Sequence, residues 1–482
     1  MRGAALRTKT IFFKLGLIIL IVGIAMLFPM LVSIFYLEPI WKSFLISSSL
    51  TMIFGIILAL FTRNDESIRS REGFAIVSLG WIFASLFGSL PYLLSNTFTN
   101  FSDAFFETVS GFTTTGATVM VNIELAYKGI LFWRSLTQWL GGMGIVILFV
   151  ALLSTIGSDA IKIFRAELPN PTFEKIKPRL NETARILWIT YIGLTFILVI
   201  LLWLCGMNLF DSINHSFTTI STGGFSTKDG SIGAFSNQGI HFLITVFMFL
   251  GGINFALYYQ ALKNKSLLGF WRNDAFKAYL IIILTFTLII VSNLLFNNQH
   301  FSLLDVVFQV ISLTSTGFTS VNLEIWPAFP QLLLISLMFI GASAGSTSGS
   351  VKVDRYAIML KCAFIELKRL SHPRSVASIK INGKPLPQDA VIAVFQFFFL
   401  YLMIAFFGVL ILGLLNVDPS TAIAVVAASL SNVGSGLTAV ASGGDFSHFS
   451  TSVKMVLAFL MLLGRLEIYT LLVLVLPNTW RK

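Results

Sequence analysis

Four short polar segments of this chain contain the residues whose types and spacing suit the binding of an ion. Each segment begins with a hydroxyl residue and ends three positions later with glycine. Glycine adopts the positive φ angles that turn consecutive carbonyl groups to one side, and rings of backbone carbonyls replace the water around a cation in selectivity filters. We call these segments the tetrads and predict that they bind a cation: Thr113, Thr114, Thr115 and Gly116; Ser221, Thr222, Gly223 and Gly224; Thr314, Ser315, Thr316 and Gly317; and Ser431, Asn432, Val433 and Gly434.

A short stretch before each tetrad is expected to be a helix that positions it. These stretches span roughly 14–18 Å at helical rise, which is too short to cross a bilayer. Such helices would direct their partially negative C-terminal ends at the tetrads, and that polarity favours a cation. The predicted helices, with Asp103, Asp211, Asp305 and Asp418 as their N-caps, are Asp103–Phe112, Asp211–Ile220, Asp305–Leu313 and Pro419–Leu430.

The chain after each tetrad repeats as well, in an apolar run with a small-residue motif at its middle. A single tetrad is equally well explained as a turn, because Thr, Ser and Gly are common loop residues. Four tetrads in the same context argue against that alternative. The motifs are Trp139–Gly142, Phe249–Gly252, Phe339–Ala342 and Leu462–Arg465. We therefore predict a two-helix extension at 1–72 and four parallel repeats at 73–182, 183–273, 274–387 and 388–482.

The composition indicates an all-α integral membrane protein. Hydrophobic residues make up 56% of the chain and charged residues 11%, whereas soluble domains have about half and a quarter. Apolar runs near the length of a membrane span predict ten transmembrane helices, with the four tetrads as re-entrant loops in pseudo-fourfold symmetry. The runs are Ile11–Tyr36, Phe44–Phe61, Phe74–Leu94, Gly129–Leu153, Ile186–Met207, Ile240–Leu262, Ala278–Phe296, Pro330–Ala342, Ala390–Leu415 and Val453–Leu476.

The net charge of +11 is explained by membrane topology rather than by a nucleic-acid partner. Lysine and arginine gather in alternate connections, and the connections that hold the tetrads have almost none. By the positive-inside bias, both termini are predicted in the cytoplasm and the tetrads on the outer side. The first apolar run has basic residues ahead of it, but its length and the lack of a cleavage site favour a retained span over a signal peptide.

No arrangement of residues in the sequence recommends an enzyme. The five histidines and two cysteines do not have metal-ligand spacing, and a membrane enzyme would need a polar catalytic cluster. A second hypothesis is a sodium- or proton-coupled carrier with alternating access, since such folds use broken helices with a site at mid-membrane. Those folds often have inverted repeats, whereas the repeats here are parallel.

Several segments resemble the Trk/Ktr/HKT potassium transporter superfamily. The runs SGFTTTGATV (110–119), TTISTGGFST (218–227), VISLTSTGF (310–318) and SLSNVGSGL (429–437) are similar to its four pore loops. The segments AGSTSGSVK (344–352) and GRLEIYTLLVLVLPNTWR (464–481) resemble the bacterial TrkH-type membrane subunit in particular. The sequence departs from that pattern at Ser435, where proline is expected, and at Ser348 and Ser350, where further glycines are expected.

The resemblance implies a function and a set of partners. It implies uptake of potassium ion across the bacterial inner membrane through a central selectivity filter, with glycine in all four tetrads favouring potassium over sodium. It further implies a homodimer in which each chain forms its own pore. A cytoplasmic nucleotide-binding TrkA-type ring would regulate it, so no bound nucleotide is expected on this chain.

Two features break the repeat and are predicted to form a gate. The segment Gly341–Ser350 interrupts the eighth run with small residues, and Gly341, Gly345 and Gly349 are its candidate hinges; close helix packing is the alternative. Arg465 stands where the other repeats have Gly142, Gly252 and Ala342.

An arginine in the middle of a membrane span is expected to face an interior cavity, so Arg465 is predicted to face the conduction path. A salt bridge to Glu467 is the alternative. The basic stretch Lys352–Lys384 is either a topology signal or a docking surface for an acidic partner or anionic membrane lipid.

Overall fold

The computed structural model describes residues 7–63, 70–155, 180–372, 378–434 and 445–475. It is almost entirely helical, and one small antiparallel hairpin pairs Lys380–Ile381 with Lys384–Pro385. The helices are α1 Thr8–Ala25, α2 Leu27–Phe35, α3 Trp41–Phe61, α4 Ser70–Gly88, α5 Leu90–Leu94, α6 Phe101–Phe112, α7 Lys128–Thr155, α8 Leu180–Leu204, α9 Leu209–Ile220, α10 Gln238–Gly251, α11 Phe255–Asn264, α12 Leu268–Arg272, α13 Asp274–Phe296, α14 Leu303–Ser315, α15 Ala328–Met338, α16 Val353–Ser371, α17 Gln388–Leu414, α18 Pro419–Leu430, α19 Thr451–Arg465 and α20 Tyr469–Val475.

Six helical segments among the described residues are long and apolar enough to cross a membrane, and a seventh is obtained if one bent pair counts as a single span. Their outward side chains are apolar and exposed, as on α13, where Ile281 is 61% and Leu288 66% accessible. Such exposure is costly in water and ordinary in lipid. The chain is therefore a multi-pass membrane protein. The six segments are Thr8–Phe35, Trp41–Phe61, Arg71–Leu94, Arg185–Leu204, Asp274–Phe296 and Gln388–Leu414.

The remaining predicted spans are the runs that follow the tetrads, and they are less regular. The first is the continuous helix α7. In the second, α10 and α11 meet at a bend of 92°. The third and fourth are the short helix α15 and the pair α19 and α20, which is interrupted after Arg465. The total of ten crossings stays a prediction.

Two further interruptions fall inside spans that the sequence predicts as single runs. The run Ile11–Tyr36 is two helices, because α1 ends at Ala25 and α2 begins at Leu27. The run Phe74–Leu94 ends its first helix at Gly88, and Pro91 then lies at the start of α5. Proline is tolerated there because the first-turn N–H groups of a helix have no partner within the helix.

The helices before the tetrads are α6, α9, α14 and α18, and we call them the pre-tetrad helices. The prediction that Asp103, Asp211 and Asp305 are N-caps is wrong: all three lie in the first turn, and the N-caps are Asn100, Asn208 and Ser302. The Asn208 side chain accepts a hydrogen bond from the Asp211 N–H at 2.8 Å. Aspartate in the first turn is still stabilised by the positive end of the helix.

The fourth pre-tetrad helix begins as predicted. Asp418 is the N-cap and accepts from the Thr421 N–H at 3.1 Å, and Pro419 is the first helical residue.

Two large apolar clusters surround the pre-tetrad helices. One includes Phe106, Trp133 and Leu457 beside the first and fourth of these helices. The other includes Tyr279 and Phe308 beside the second and third, together with Phe255 and Met338. The core therefore lies around the helices that position the tetrads, while the long spans face outward.

Candidate functional site

The glycine that ends each tetrad has the positive φ angle that the sequence predicts. The values are 86° for Gly116, 82° for Gly224, 92° for Gly317 and 75° for Gly434. These four glycines line one common cavity, together with Thr118, Ser226, Thr319 and Phe446 from the segments that follow them. The structure thus brings together four segments that are about a hundred residues apart in sequence.

Three of the tetrads lie with their terminal glycine directly against a carbonyl of a neighbouring tetrad. A Cβ atom added to Gly116 would stand 2.2 Å from the carbonyl oxygen of Gly223 in the second tetrad. One added to Gly224 would stand 2.3 Å from the Thr316 oxygen in the third, and one added to Gly434 would stand 2.1 Å from the Thr115 oxygen in the first. No real Cβ contact is this short, so only glycine fits at these positions.

The third tetrad differs from the other three in its backbone. The second residue is left-handed in three tetrads, with φ of 53° at Thr114 and 54° at Thr222 and Asn432. In the third, the pre-tetrad helix continues through Ser315, and Thr316 has φ of −116°. The segment from Asp305 to Gly317 is one residue shorter than the segment from Asp103 to Gly116. The missing residue explains why the turn is made differently.

The hydroxyl groups that open the first three tetrads bond to their own pre-tetrad helices, and the one that opens the fourth bonds to α17. Thr113 Oγ1 donates to the Val109 carbonyl at 2.7 Å, and Thr314 Oγ1 donates to the Ile311 carbonyl at 2.7 Å. Ser431 Oγ lies 2.8 Å from the Tyr401 hydroxyl. An O–H that donates its hydrogen elsewhere keeps oxygen lone pairs for a cation.

The small-residue motifs allow the helices after the tetrads, which we call the post-tetrad helices, to approach the pre-tetrad helix ends. These helices are α7, α10, α15 and α19. A Cβ on Gly141 would stand 1.9 Å from the Phe112 carbonyl oxygen, and one on Gly464 would stand 2.0 Å from the Leu430 oxygen. Gly251 is at a looser 3.3 Å from the Ile220 oxygen. Gly141, Gly251 and Gly464 are therefore explained by contact with the last residue of the pre-tetrad helix in the same repeat.

In the third repeat the motif leads instead into an irregular segment. Helix α15 ends at Met338, and the segment Gly341–Ser350 follows it. A Cβ on Gly349 would stand 2.7 Å from Asn432 Cβ, and Thr222 Oγ1 donates to Thr347 Oγ1 at 3.3 Å. Gly345 has φ of 79° and lies against the Asn254 side chain. The segment thus contacts the second and fourth tetrads.

Ser348 and Ser350 form hydrogen bonds that hold this segment. Ser350 Oγ donates to the Met338 carbonyl at 2.9 Å, and Ser348 Oγ accepts from the Ala342 N–H at 3.4 Å. The third departure from the family pattern, Ser435, lies outside the described residues.

Arg465 is buried and joins three parts of the chain. Its guanidinium donates to the Thr347 carbonyl at 2.6 Å and to the Gly141 carbonyl at 3.1 Å. The alternative of a salt bridge with Glu467 is wrong, because the Glu467 carboxylate pairs with Arg355 at 2.7 Å. Arg465 therefore connects the fourth repeat to the Gly341–Ser350 segment and to helix α7.

Sequence reasoning missed a buried polar group behind the first two tetrads. Arg134 Nε lies 2.7 Å from Glu107 Oε1, and their side chains are 1% and 0% exposed. Gln138, one turn later on α7, donates to the carbonyl of Gly223 at 2.7 Å. The available signal was an arginine and a glutamine inside an otherwise apolar run.

Carboxylates are not gathered at the tetrads in the described part of the chain. There, no group of three or more His, Cys, Asp or Glu side chains is placed to hold a metal ion. The oxygen atoms that the tetrads offer are backbone carbonyls, hydroxyls and one amide. Such neutral oxygens suit a monovalent cation.

Comparison with known proteins identifies the family. The family model TrkH, described as a cation transport protein, matches residues 40–482. The chain is 39% identical over 477 residues to the Trk system potassium uptake protein TrkH of Escherichia coli strain K12, covering 97% of this chain and 98% of that protein. It is 40% identical over 479 residues to the protein of the same name from Vibrio parahaemolyticus, with coverage of 97% and 98%.

The similarity extends to a solved structure. The crystal structure of the potassium transporter TrkH from Vibrio parahaemolyticus matches with a TM-score of 0.90 at 37% identity, over 99% of this chain and 100% of that one. The family model and these relatives all describe transport proteins. The chain belongs to the TrkH family of cation transport proteins.

Proposed function

We propose that this chain takes up potassium ions across the bacterial inner membrane through a selectivity filter made of its four tetrads. The observation that carries the proposal is the close approach of Gly116, Gly224 and Gly434 to carbonyl oxygens of neighbouring tetrads, together with the one cavity that the terminal glycines of all four tetrads line. These contacts link the fourth tetrad to the first, the first to the second and the second to the third, and with the common cavity they support a closed arrangement around one axis. The carbonyls of Thr115, Gly223, Thr316 and Val433 would then form one layer of ion ligands, and those of Thr114, Thr222, Ser315 and Asn432 another.

The identity of the ion is supported by both chemistry and relatives. Neutral carbonyls suit a monovalent cation, whereas a divalent cation needs charged carboxylate ligands. The C-terminal ends of the pre-tetrad helices add partial negative charge at the tetrads. The relatives from Escherichia coli and Vibrio parahaemolyticus are named potassium uptake proteins.

Flow through this pore would be controlled by the Gly341–Ser350 segment and Arg465. The segment contacts the second and fourth tetrads, and Arg465 donates to its Thr347 carbonyl. A loop of small residues held by a few hydrogen bonds can leave without unfolding a helix. The positive charge of Arg465 would repel cations in the conduction path until the segment moves.

The partners and orientation form part of the same proposal. Relatives named for a Trk system suggest a multi-component assembly, and a homodimer with a cytoplasmic TrkA-type ring fits that name. Alternate basic connections support cytoplasmic termini and outer tetrads. Helix α16, which continues from the Gly341–Ser350 segment through Val353–Ser371, would transmit movement of the ring to the gate.

The test uses purified protein in lipid vesicles with rubidium as a tracer for potassium. We expect rubidium uptake that is driven by an inside-negative potential and resists competition by sodium. Gly116→Ser should lower the potassium to sodium permeability ratio, because its side chain would collide with the Gly223 carbonyl. Gly193→Ser is the matched control, since a Cβ there meets nothing within 4 Å.

Two results would count against the proposal. An unchanged permeability ratio in Gly116→Ser would remove the first tetrad from the filter. Rubidium uptake that requires an imposed proton or sodium gradient would favour the coupled carrier instead.

A further inference from the structure

Three pre-tetrad helices each have one buried polar side chain that bonds to a hydroxyl group eleven residues later, just past the tetrad. Glu107 accepts from Thr118 Oγ1 at 2.9 Å, and His215 Nε2 lies 3.0 Å from Ser226 Oγ. In the third helix, Gln309 Nε2 donates to Ser320 Oγ at 3.4 Å. All three side chains are fully buried. We call these three contacts the braces, because each one ties the chain leaving a tetrad to the helix entering it.

The braces occupy equivalent places and differ in chemistry. The first is a carboxylate, the second an imidazole and the third an amide. In the fourth pre-tetrad helix the corresponding residue is the buried Val425, nine positions before Gly434. A buried polar side chain is costly unless its hydrogen bonds are made. The presence of such a side chain at the equivalent place in three pre-tetrad helices therefore indicates that these residues position the chain that leaves each tetrad.

The first brace also contains an arginine that reaches the second tetrad. Arg134 Nη2 donates to Thr118 Oγ1 at 3.1 Å, and Nη1 donates to the Ser226 carbonyl at 3.1 Å. Its guanidinium carbon lies 4.2 Å from the centre of the Phe225 ring. A single side chain thus joins Glu107 and the exit of the first tetrad to the exit of the second.

Gln138 extends this connection to a carbonyl of the proposed filter. Its side-chain nitrogen donates to the Gly223 carbonyl at 2.7 Å, and its side-chain oxygen accepts from the Phe225 N–H at 3.0 Å. Arg134 and Gln138 are four residues apart on α7, so they lie on one face of that helix. The Gln138 side-chain amide thus forms hydrogen bonds with the backbone on both sides of Gly224.

The other post-tetrad helices are apolar at the matching positions. Counting eight and four residues back from the end of each small-residue motif gives Arg134 and Gln138 in the first helix. In the other three, the residues are fully buried and apolar: Ile244 and Met248, Leu334 and Met338, and Leu457 and Met461. The polar connection is therefore specific to the junction between the first and second tetrads.

We propose that Glu107, Arg134 and Gln138 are positioning residues that set the selectivity of the filter through the second tetrad. This inference rests on the proposed function of the tetrads. Selectivity for a larger cation requires that carbonyls do not close in on a smaller one. A hydrogen bond to the Gly223 oxygen also withdraws electron density from it and weakens its attraction for the more compact sodium ion. Releasing these contacts should therefore admit sodium.

The test compares two variants in the vesicle assay. Glu107→Gln combined with Arg134→Gln removes both charges together, so that no buried charge is left without a partner. Gln138→Met substitutes the residue that the other three post-tetrad helices have. We expect the potassium to sodium permeability ratio, taken from reversal potentials, to fall about tenfold in each variant. Saturating rubidium flux should stay within about threefold of the parent protein, because the pore itself is intact.

The matched control is a partly buried ion pair between the same pre-tetrad helix and α19. Lys454 Nζ lies 2.7 Å from Asp103 Oδ1, in the first turn of α6, and also donates to the Ser447 carbonyl at 2.8 Å. Asp103→Asn with Lys454→Gln should lower thermal stability and leave the permeability ratio unchanged. A purely structural role for Glu107 and Arg134 would give the same pattern as this control.

The outcomes separate the two proposals. A ratio within twofold of the parent in both folded test variants would overturn the positioning role. Should the double variant fail to assemble, Gln138→Met alone decides, because it changes no charge. If the unsubstituted protein passes rubidium and sodium equally, the proposed function has failed instead.

Discussion

Post-tetrad helices one and three start at nearly the same distance from their tetrads, twelve residues after Gly116 and eleven after Gly317, and then behave differently. Helix α7 runs unbroken from Lys128 to Thr155 through its glycine pair, whereas α15 ends at Met338 and an irregular segment follows. Gly and Ser are poor helix formers, and Ser competes for backbone hydrogen bonds. A segment with three glycines and four serines between 341 and 350 does not continue a helix.

Irregular backbone at membrane depth needs partners, and other parts of the chain supply them. The Ser343 N–H donates to the Gly252 carbonyl at 3.0 Å, and the Ala344 N–H donates to Asp354 Oδ2 at 2.7 Å. The Gly345 carbonyl accepts from the Phe255 N–H at 3.1 Å. Equivalent regions after the first and third tetrads thus differ. After the first, the continuous helix α7 is a rigid support; after the third, a segment held by separable hydrogen bonds follows α15.

The sharpest test of the rigid half is Gly141→Ala. Its Cβ would collide with the Phe112 carbonyl, and we expect a loss of about 3 kcal/mol of stability from this overpacking. Gly144→Ala, on the same helix, meets Trp81 at an ordinary 3.6 Å and should be neutral or slightly stabilising. Thermal unfolding of the detergent-solubilised protein measures both. Equal melting temperatures for the two variants would contradict the rigid-support role of α7.

For the Gly341–Ser350 segment, the largest expected effect is that of Arg465→Ala. It removes the donor to the Thr347 and Gly141 carbonyls and a buried positive charge. We expect rubidium flux to rise roughly tenfold at unchanged selectivity, since charge-assisted hydrogen bonds hold the segment. Arg465→Lys keeps the positive charge but loses the two-pronged guanidinium group. Its rubidium flux should therefore lie between those of the parent protein and Arg465→Ala. Unchanged flux in reconstituted vesicles would remove Arg465 from the gate.

A smaller effect is expected for Thr347→Val. The hydroxyl donates to the Ile220 carbonyl at 3.0 Å and accepts from Thr222, and valine has nearly the same shape. Loss of these bonds should raise basal flux about fivefold. Thr190→Val is the control, because that hydroxyl bonds only within its own helix, to Ile186 at 2.9 Å. If both variants have the same flux, Thr347 does not hold the segment.

The smallest effect is expected for Ser350→Ala, which removes one hydrogen bond to the end of α15. A loss of about 1 kcal/mol should raise basal flux by a few-fold. Ser336→Ala, in an exposed part of α15 where the hydroxyl bonds to Leu333, is its control. A decrease in flux for Ser350→Ala would show that this bond favours the open arrangement.

The sequence was sufficient to predict the tetrads, their glycine φ angles and the helices before them. These features are local: glycine adopts a positive φ without steric cost, and Asp418-Pro419 favours the start of a helix. The error over Asp103, Asp211 and Asp305 had a local cause too. Asn100, Asn208 and Ser302 are equally good N-caps three residues earlier, and only the backbone decides between the two sets.

The contacts that join distant segments were not predictable in the same way. Nothing in the run around Arg134 says that its partners are Glu107 and the Ser226 carbonyl, because that pairing depends on how two repeats pack. The 92° bend between α10 and α11 was likewise not predictable from the sequence. A glycine pair is compatible with the straight helix α7 as well as with a bend, and the sequence does not distinguish them.

The contacts of Gly116, Gly224 and Gly434 with neighbouring tetrads have a consequence for how the proposed ring can vary. In a symmetric tetramer a substitution is repeated four times, because every subunit has the same sequence. Here the four tetrads belong to one polypeptide, so a mutation alters one quarter of the proposed ring and the tetrad beside it. The left-handed Asn432 and the helical Ser315 already occupy equivalent places. Each quarter is thus free to acquire its own residues, provided that it still fits the quarter beside it.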